Sequence, residues 1–346
     1  MTPTDESRTP RGSAGPRGLL VSLLALTLAL LVGCGSEDTI KPGTDPDAVV
    51  WTKLTNFPRF TTHSDSVNLS DATALYPDWR GDSVVFNALD PITRQQVRLA
   101  YLDVRNPASL YVSTYPGPAS WHDLGPRWVT SGVVVFASGL LTNPEKYDLY
   151  YRTVDTGANH RLFTWTAAER YPDPQPGGPG MVYTEGDNNL RGRLVFMADT
   201  ANTVSRTYMT APTVYAGEAQ WDPTGSKVVF SADSTVQFGP RHIWWVTPGD
   251  LTSHQLTFGP YVDQFPTFSP DGSKILFVSN RSGRSSLWVM DPVAGEAGGL
   301  KRIAWEDVGA RIESPTWSDD GTRIIVTSNG RDYVRQLWML SNLPLP

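Results

Sequence analysis

An internal repeat that returns six times is the feature that most constrains how this chain of 346 residues can fold. The clearest copies, residues 265–277 and 314–326, each contain an aromatic residue, a tight turn that includes Asp-Gly, and an apolar run. The six copies are anchored on Trp79, Trp128, Pro174, Trp221, Phe268 and Trp317. Successive anchors are 49, 46, 47, 47 and 49 residues apart, and a period of about 48 residues is typical of one blade of a β-propeller.

Each repeat predicts four short strands. The anchor lies on the first strand, and a turn follows in which Pro sets φ and Gly takes the left-handed conformation. The apolar run forms the second strand, an aromatic-rich segment such as 287–290 forms the third, and a short segment such as 254–257 forms the fourth. The sequence therefore predicts an all-β fold, a six-bladed β-propeller with four-stranded antiparallel blades, over residues 49–346.

The sixth repeat ends after its third strand, and the missing fourth strand is available at the other end of the domain. Residues 52–56 match the pattern of residues 253–257, which form the fourth strand of an internal repeat. We expect residues 49–56 to complete the last blade, which would remove an open sheet edge. The alternative is an extra edge strand with no closing role.

Residues 1–33 are predicted to be a lipoprotein signal peptide. Three arginines precede an apolar run over residues 19–32, whose length of about 14 residues is short of a membrane span. The segment 31–34, Leu-Val-Gly-Cys, resembles the lipobox of bacterial lipoproteins, which implies cleavage before Cys34 and acylation of its thiol and amino group. The alternative is an ordinary signal peptide or an uncleaved anchor.

Residues 34–48 are polar, contain Pro42, Gly43 and Pro46, and show no apolar periodicity, so they are predicted to form a flexible tether from Cys34. The chain is 40% hydrophobic and 11% aromatic with a net charge of −6, which excludes a disordered or nucleic-acid-binding protein. A single cysteine also excludes a disulfide framework and a cysteine zinc site.

The repeats resemble the β-propeller repeats of TolB, the periplasmic protein of the Tol system, whose blades carry an aromatic-Ser-Pro-Asp-Gly turn followed by an apolar strand. The resemblance covers about residues 49–346 and is strongest in the three C-terminal repeats. TolB has an additional N-terminal α/β domain, for which residues 35–48 leave no room, and it carries no lipid anchor. The resemblance thus implies the propeller fold in a stand-alone lipoprotein of the bacterial cell envelope, in the outer membrane and periplasm or on the cell surface, without membership of the Tol machinery.

Motifs for catalysis and cofactor binding are missing from the sequence. The five histidines have no HExxH or i, i+4 relation, and there is no GxSxG elbow, P-loop or GxGxxG after a strand. The Asp-Gly pairs at 271–272 and 320–321 are predicted to be hairpin turns rather than calcium loops. We therefore predict no catalytic residue, no metal site and no cofactor.

An acidic residue precedes each anchor in the connection that enters the blade. These candidates for the channel mouth are Asp71, Asp123, Glu169, Glu218, Asp263 and Glu313. They could ring one mouth of the central channel and receive a cation or a basic, N–H-rich segment of a partner. The structural alternative is that each accepts hydrogen bonds in its own loop or in the neighbouring blade.

The connection between the closing strand and the first anchor is about a dozen residues longer than its counterparts. This insertion, residues 57–70, offers a candidate binding loop that contains Phe57, Phe60, His63 and Asp65. A surface loop without a binding role is the alternative.

Together these features predict an envelope propeller, held to the membrane by its lipid anchor, that binds or scaffolds a protein or peptide partner through one face of the channel. The alternative is a propeller enzyme of the hydrolase, lyase or lactonase type, acting on a small or carbohydrate substrate at the channel mouth. An enzyme should show acidic or histidine side chains with shifted pKa values converging on one pocket, whereas a scaffold should show a broad mixed surface.

The lipid anchor can be tested at its single cysteine. Cys34→Ser removes the thiol that would be acylated, so we expect loss of lipid labelling and transfer of the protein from the membrane fraction to a soluble or uncleaved form. Ser36→Ala, two residues away, serves as the control and should leave both unchanged. Membrane retention of the Cys34→Ser protein with normal processing would contradict the lipoprotein hypothesis.

Overall fold

The computed structural model of the protein describes residues 49–57, 74–89, 96–113, 121–140, 147–162, 167–186, 192–201, 206–211, 214–233, 240–305, 310–330 and 334–346. The described residues form 24 strands in six antiparallel sheets of four strands each. This confirms the predicted all-β, six-bladed propeller. These ranges hold no helix that could span a membrane. The predicted signal peptide and tether lie outside the described residues.

Each blade contains four strands that follow one another outward from the channel axis. The closing strand is β1 (Val50–Lys53). The first three blades comprise β2 (Ala74–Arg80), β3 (Ser83–Leu89), β4 (Val97–Asp103) and β5 (Asn106–Val112); β6 (Trp121–Thr130), β7 (Val133–Leu140), β8 (Asp148–Thr153) and β9 (Asn159–Arg161); and β10 (Ala168–Pro174), β11 (Met181–Gly186), β12 (Gly192–Met197) and β13 (Arg206–Tyr208). The last three comprise β14 (Tyr215–Trp221), β15 (Val228–Asp233), β16 (Arg241–Val246) and β17 (His254–Gln255); β18 (Asp263–Phe268), β19 (Ile275–Ser279), β20 (Ser286–Asp291) and β21 (Gly295–Trp305); and β22 (Ile312–Trp317), β23 (Ile324–Ser328) and β24 (Gln336–Ser341).

The apolar second strands are buried because neighbouring blades cover both of their faces. Every residue of β15, β19 and β23 is buried, which is why these strands are continuous apolar runs rather than alternating ones. The hydrophobic core is accordingly divided into clusters between blades. One of them joins Phe86 of the first blade to Ile325 and Leu337 of the sixth.

The ring closes as predicted, with β1 as the outer strand of the sixth blade. Val50 pairs with Ser341 and Lys53 with Trp338 in an antiparallel register. The chain then continues the same pairing, because the Leu54 amide donates to the Leu337 carbonyl at 2.9 Å.

A buried polar clamp holds the closing strand. The Thr55 hydroxyl accepts a hydrogen bond from the Leu337 amide at 2.9 Å and donates to Gln336 Oε1 at 2.8 Å. Gln336 also accepts from the Phe57 amide and donates to the Phe57 carbonyl, at 3.0 and 2.8 Å. In the fourth blade Thr257 accepts from the Ile243 amide in the same way. Thr55 therefore holds in the sixth blade the position that Thr257 holds after the fourth strand of the fourth blade.

The two ends of the channel differ in what surrounds them. The end where the first strand of each blade turns back into the second is here called the turn side, and the opposite end the connection side. Trp317 pairs with Ile324 across the turn of the sixth blade, and Ile324 pairs with Leu340. Since Val50 pairs with the next residue, Ser341, the closing strand begins on the turn side.

Removing one hydroxyl from the clamp should weaken the whole propeller. Thr55→Val keeps the shape of the side chain but leaves the Leu337 amide and Gln336 Oε1 without that partner, so we expect a loss of about 1–3 kcal/mol in the free energy of unfolding, measured in urea. Thr257→Val is the matched control, because Thr257 accepts one equivalent hydrogen bond in an internal blade, and it should cost less. Equal losses in the free energy of unfolding would mean that the additional hydrogen bond from Thr55 to Gln336 does not stabilise the closed ring.

Candidate functional site

The first strand of every blade carries a bulge that faces the channel axis. The register shifts in each of these strands, and one residue at each shift has a φ between 49° and 56°. This ring of residues, here called the constriction, consists of Tyr76, Gly125, Tyr171, Glu218, Phe265 and Ser314. The cavity that they line has a volume of about 20 Å³, which is room for about one water molecule.

Large and small residues alternate around the constriction, and a glycine makes this possible. Tyr76 and Tyr171 approach each other across the second blade, with ring centroids 5.4 Å apart and hydroxyl oxygens 3.3 Å apart. A Cβ at Gly125 would lie 3.0 Å from Tyr171 Cδ1, so the second blade needs glycine here. Burial, and secondarily the neighbouring Tyr171, raises the pKa of the Tyr76 hydroxyl well above its ordinary value.

A wider cavity of about 320 Å³ opens on the turn side and is here called the turn-side mouth. Its wall includes Asp78, Asp173, Gln220, Thr267 and Thr316, each of which directly precedes the anchor of its blade. Arg127 holds the equivalent position in the second blade. Every blade thus places one polar side chain at the same level of the channel.

Two aspartates of the turn-side mouth bind the anchor of the next blade. Asp78 Oδ2 accepts from the Trp128 amide at 2.7 Å, and its carbonyl accepts from Trp128 Nε1 at 3.1 Å. Asp173 repeats both bonds with Trp221, at 2.8 and 3.1 Å. These bonds tie the first blade to the second and the third blade to the fourth.

The side chains of the same aspartates are buried, and the nearby Arg127 offsets part of the effect of burial on their pKa values. Burial raises the pKa of Asp173 to about 7, although Arg127 and the Trp221 amide oppose the shift. The Arg127 Nε lies 3.4 Å from Asp173 Oδ1. Burial also raises the pKa of Asp78, again against the effect of Arg127. One guanidinium therefore offsets two carboxyl groups, and Asp173 titrates near neutral pH.

Four of the acidic residues predicted for the channel mouth have partners within the propeller. Glu218 Oε2 accepts from Ser231 Oγ and from the Phe265 amide of the next blade, at 2.7 and 2.9 Å. Asp263 accepts from Arg281 at 2.9 Å, and Glu313 binds Arg335 through both oxygens at 2.8 and 3.1 Å. Asp123 accepts from Ser138 Oγ at 2.7 Å, and burial raises its pKa to about 6.

These carboxylates do not occupy one equivalent position. Asp123, Glu169 and Asp263 lie five residues before their anchors, whereas Glu313 lies four and Glu218 three residues before theirs. The structure brings Glu218 into the constriction. The other described carboxylates lie within the first strands of their blades, opposite residues of the second strands: Asp123, Glu169, Asp263 and Glu313. Asp71 lies outside the described residues.

Glu169 is the exception among them, because neither oxygen of its fully buried side chain has a hydrogen-bond partner in the described part of the chain. Burial, together with the nearby Asp148 and Glu185, raises its pKa to about 8. At neutral pH this carboxyl is therefore mainly protonated.

Of the candidate binding loop, only Phe57 belongs to the described residues; Phe60, His63 and Asp65 lie outside them. The Phe57 ring packs edge-on against Phe86 with centroids 6.5 Å apart. Its main chain is held by Gln336, as described above. Phe57 is thus part of the core between the sixth and first blades.

Sequence reasoning missed the polar residues of the turn-side mouth. One signal was available, because the motif Tyr-Pro-Asp occurs twice, at 76–78 and 171–173. The two tyrosines contact each other in the constriction, and each of the two aspartates binds the anchor of the next blade. The repeated motif therefore indicates residues that line the channel in both the first and the third blade.

Six blades around an axial channel, closed by a strand from the N-terminal end of the domain, define a β-propeller built from sequence repeats. The chain belongs to the TolB β-propeller family: the family model described as TolB beta propeller domain matches residues 145–340. A protein TolB homolog from Chlorobium luteolum is 26% identical over 174 residues, which is 50% of this chain and 37% of that protein.

Solved structures show the same fold at low sequence identity. TolB from Acinetobacter baumannii superposes with a TM-score of 0.57 at 20% identity, over 76% of this chain and 65% of that one. A puromycin-hydrolyzing peptidase from Mycobacterium tuberculosis gives 0.53 at 15% identity, over 83% and 54% of the two chains. At such identities the likeness concerns the fold alone.

The raised carboxyl pKa values predict how stability depends on pH. Glu169 keeps its proton in the folded state up to about pH 8, whereas the unfolded chain loses it near pH 4.3. Stability should therefore fall as the pH rises through this range. Glu169→Gln cannot ionise, so its free energy of unfolding in urea should fall less between pH 5 and 9 than that of the wild type.

Asp271→Asn is the control for this experiment. Hydrogen bonds from Ser269 and the turn lower the pKa of Asp271 to about 2, so it does not titrate between pH 5 and 9 and its removal should leave the slope unchanged. A Glu169→Gln protein with the wild-type slope would contradict the assignment of this proton to Glu169.

Proposed function

We propose that the protein is a lipid-anchored propeller of a bacterial cell envelope that binds a protein or peptide partner at the turn-side mouth. The observation that carries the proposal is the shape of the channel. A cavity of about 320 Å³ lies in front of a constriction with room for about one water. Such a blind pocket suits an inserted side chain or chain segment.

The charges of the mouth indicate the chemistry of the partner. Asp78, Asp173 and Asp319 line the cavity, against Arg80 in its wall and the Arg127 guanidinium beside Asp173. The Arg80 guanidinium donates to the Val129 carbonyl at 3.1 Å, so part of its hydrogen-bonding capacity is used within the propeller. We therefore expect a partner that presents an amine, a guanidinium or several N–H groups.

The position of the closing strand links the mouth to the proposed anchor. Residues 34–48 would span at most about 50 Å when fully extended, and they lead into β1, which begins on the turn side. A propeller tethered through Cys34 would keep the start of β1, on its turn side, within that distance of the bilayer. A partner in or near the same membrane fits this arrangement.

Partner capture from membranes can test the mouth directly. Asp173→Asn keeps an acceptor for the Trp221 amide but removes the titrating charge, so we expect it to reduce capture of the partner several-fold. Wild-type capture should rise between pH 6 and 8 as Asp173 loses its proton, whereas capture by the variant should not follow that rise. Asp250→Asn, in the exposed turn between β16 and β17, is the control and should behave as the wild type.

The outcome that contradicts the proposal is equal capture by the wild type and Asp173→Asn at every pH. A shifted carboxyl pKa beside a cavity is also what an enzyme would show, and it keeps the hydrolase, lyase or lactonase alternative open. Turnover of carbohydrate or lactone substrates that is abolished in Asp173→Asn but retained in Asp250→Asn would favour that alternative.

A further inference from the structure

A second cavity on the turn side continues the mouth outward between the fifth and sixth blades. It has a volume of about 440 Å³ and reaches Leu345 and Pro346 at its outer end. It shares Ser269, Pro270, Trp317 and Asp319 with the turn-side mouth, so the two cavities adjoin. This second cavity, here called the radial groove, leads from the edge of the propeller to the channel axis.

The anchor tryptophan of the groove differs from the other three in its hydrogen bonding. Trp79 Nε1 donates to the Gly81 carbonyl at 2.8 Å, and Trp128 and Trp221 donate to the carbonyls of Asp78 and Asp173 in the preceding blade. Trp317 is 6% exposed and lines both cavities, yet its Nε1 has no partner in the described part of the chain.

The residue that precedes the anchor in the neighbouring blade differs as well, although the indole N–H is accepted by its main-chain carbonyl and not by its side chain. In the first and third blades this residue is an aspartate whose side chain and carbonyl hold the next anchor. In the fifth blade it is Thr267, whose hydroxyl donates to the Phe268 carbonyl at 3.4 Å. Thr267 thus offers no carboxylate to the Trp317 amide, and in the described part of the chain its carbonyl accepts no hydrogen bond from Trp317 Nε1. A buried indole N–H without an acceptor is a site that a carbonyl group can satisfy.

The rim of the groove is acidic. Asp271, Asp319 and Asp320 line it, against Lys274 as the one basic side chain among its lining residues. Hydrogen bonds from Ser269 and Ser318 and from the turns lower the pKa of both Asp271 and Asp320 to about 2. The rim thus carries an excess of negative charge at any physiological pH, and Pro270 and the exposed Leu345 add apolar surface of the kind that extended peptides contact.

We infer that the radial groove binds an extended peptide segment with a basic side chain. The basic group pairs with the carboxylates of the rim, and a backbone carbonyl of the peptide accepts a hydrogen bond from Trp317 Nε1. Because that nitrogen is buried in the free protein, the indole turns slightly towards the peptide on binding. The inference rests on the proposed function, because the end of the same peptide segment would extend from the groove into the turn-side mouth.

An array of capped, proline-flanked octapeptides with Lys, Arg, Gln or Glu at the central position provides the probe. We expect the Lys and Arg members to bind the full-length protein at least ten-fold more tightly than the Glu members, by fluorescence anisotropy. Their binding should weaken as salt rises and screens the rim. Binding should also shift the ¹⁵N-indole resonance of Trp317, which is assigned by its absence in Trp317→Phe.

Matched variants separate the groove from a general effect on the fold. Trp317→Phe should weaken binding of the Lys peptides about five-fold, the equivalent of one hydrogen bond, and lower the melting temperature moderately, because Trp317 belongs to the hydrophobic core. Trp288→Phe removes an indole N–H that likewise has no partner in the described part of the chain but lies outside both cavities, so it should leave peptide affinity unchanged. Asp319→Asn keeps an acceptor for the Gly81 amide and should reduce the preference for Lys over Glu.

Array members that bind without regard to charge, or a Trp317 resonance that does not move when they bind, would overturn the inference. Its failure can be told apart from failure of the proposed function. If partner capture depends on Asp173 but not on Asp271 and Asp320, which line the groove but not the mouth, the mouth binds the partner and the groove does not. If the groove variants reduce peptide binding and Asp173→Asn leaves partner capture intact, the groove binds peptides and the proposed binding of the partner at the mouth is wrong.

Discussion

Closure of the ring by β1 is the constraint on which the rest of the structure depends. Each blade buries its faces only against its two neighbours, so the stability of a propeller resides in the interfaces between blades. The interface between the sixth and first blades contains Leu54, Phe86 and Leu337, and Thr55 and Gln336 hold its polar edge. Without this interface the two terminal blades would each expose an apolar face, and the sixth would end in an open edge.

A closed ring brings six first strands together on one axis, and their side chains and bulges then decide the shape of the channel. The bulges direct Tyr76, Tyr171 and Phe265 into the constriction, with smaller or charged residues between them. The residues just before the anchors remain on the turn side, where the cavity is wide. The blind turn-side mouth therefore follows from the position of the bulge within each strand.

The sequence predicted what depends on local pattern and could not predict what depends on contacts between blades. The period of about 48 residues, the Gly-containing turns and the match between residues 52–56 and 253–257 were sufficient for the fold and its closing strand. The mouth was not predictable, because its six positions hold Asp, Arg, Asp, Gln, Thr and Thr, which share no pattern. Nor does the sequence show that Tyr76 and Tyr171 adopt a positive φ or meet across Gly125, since that contact joins residues 95 positions apart.

Departures from the repeat are informative because the repeat itself is explained by folding. Trp128 and Trp221 make the same two bonds to a preceding aspartate, so those bonds need no reason beyond the joining of blades. At Trp317 the residue in the preceding blade is Thr267 instead of an aspartate, and the indole N–H has no partner in the described part of the chain. This exception leaves the junction of the fifth and sixth blades without the two hydrogen bonds that hold Trp128 and Trp221. It is found where the turn-side mouth and the radial groove meet, which is where a bound chain could supply the missing acceptor.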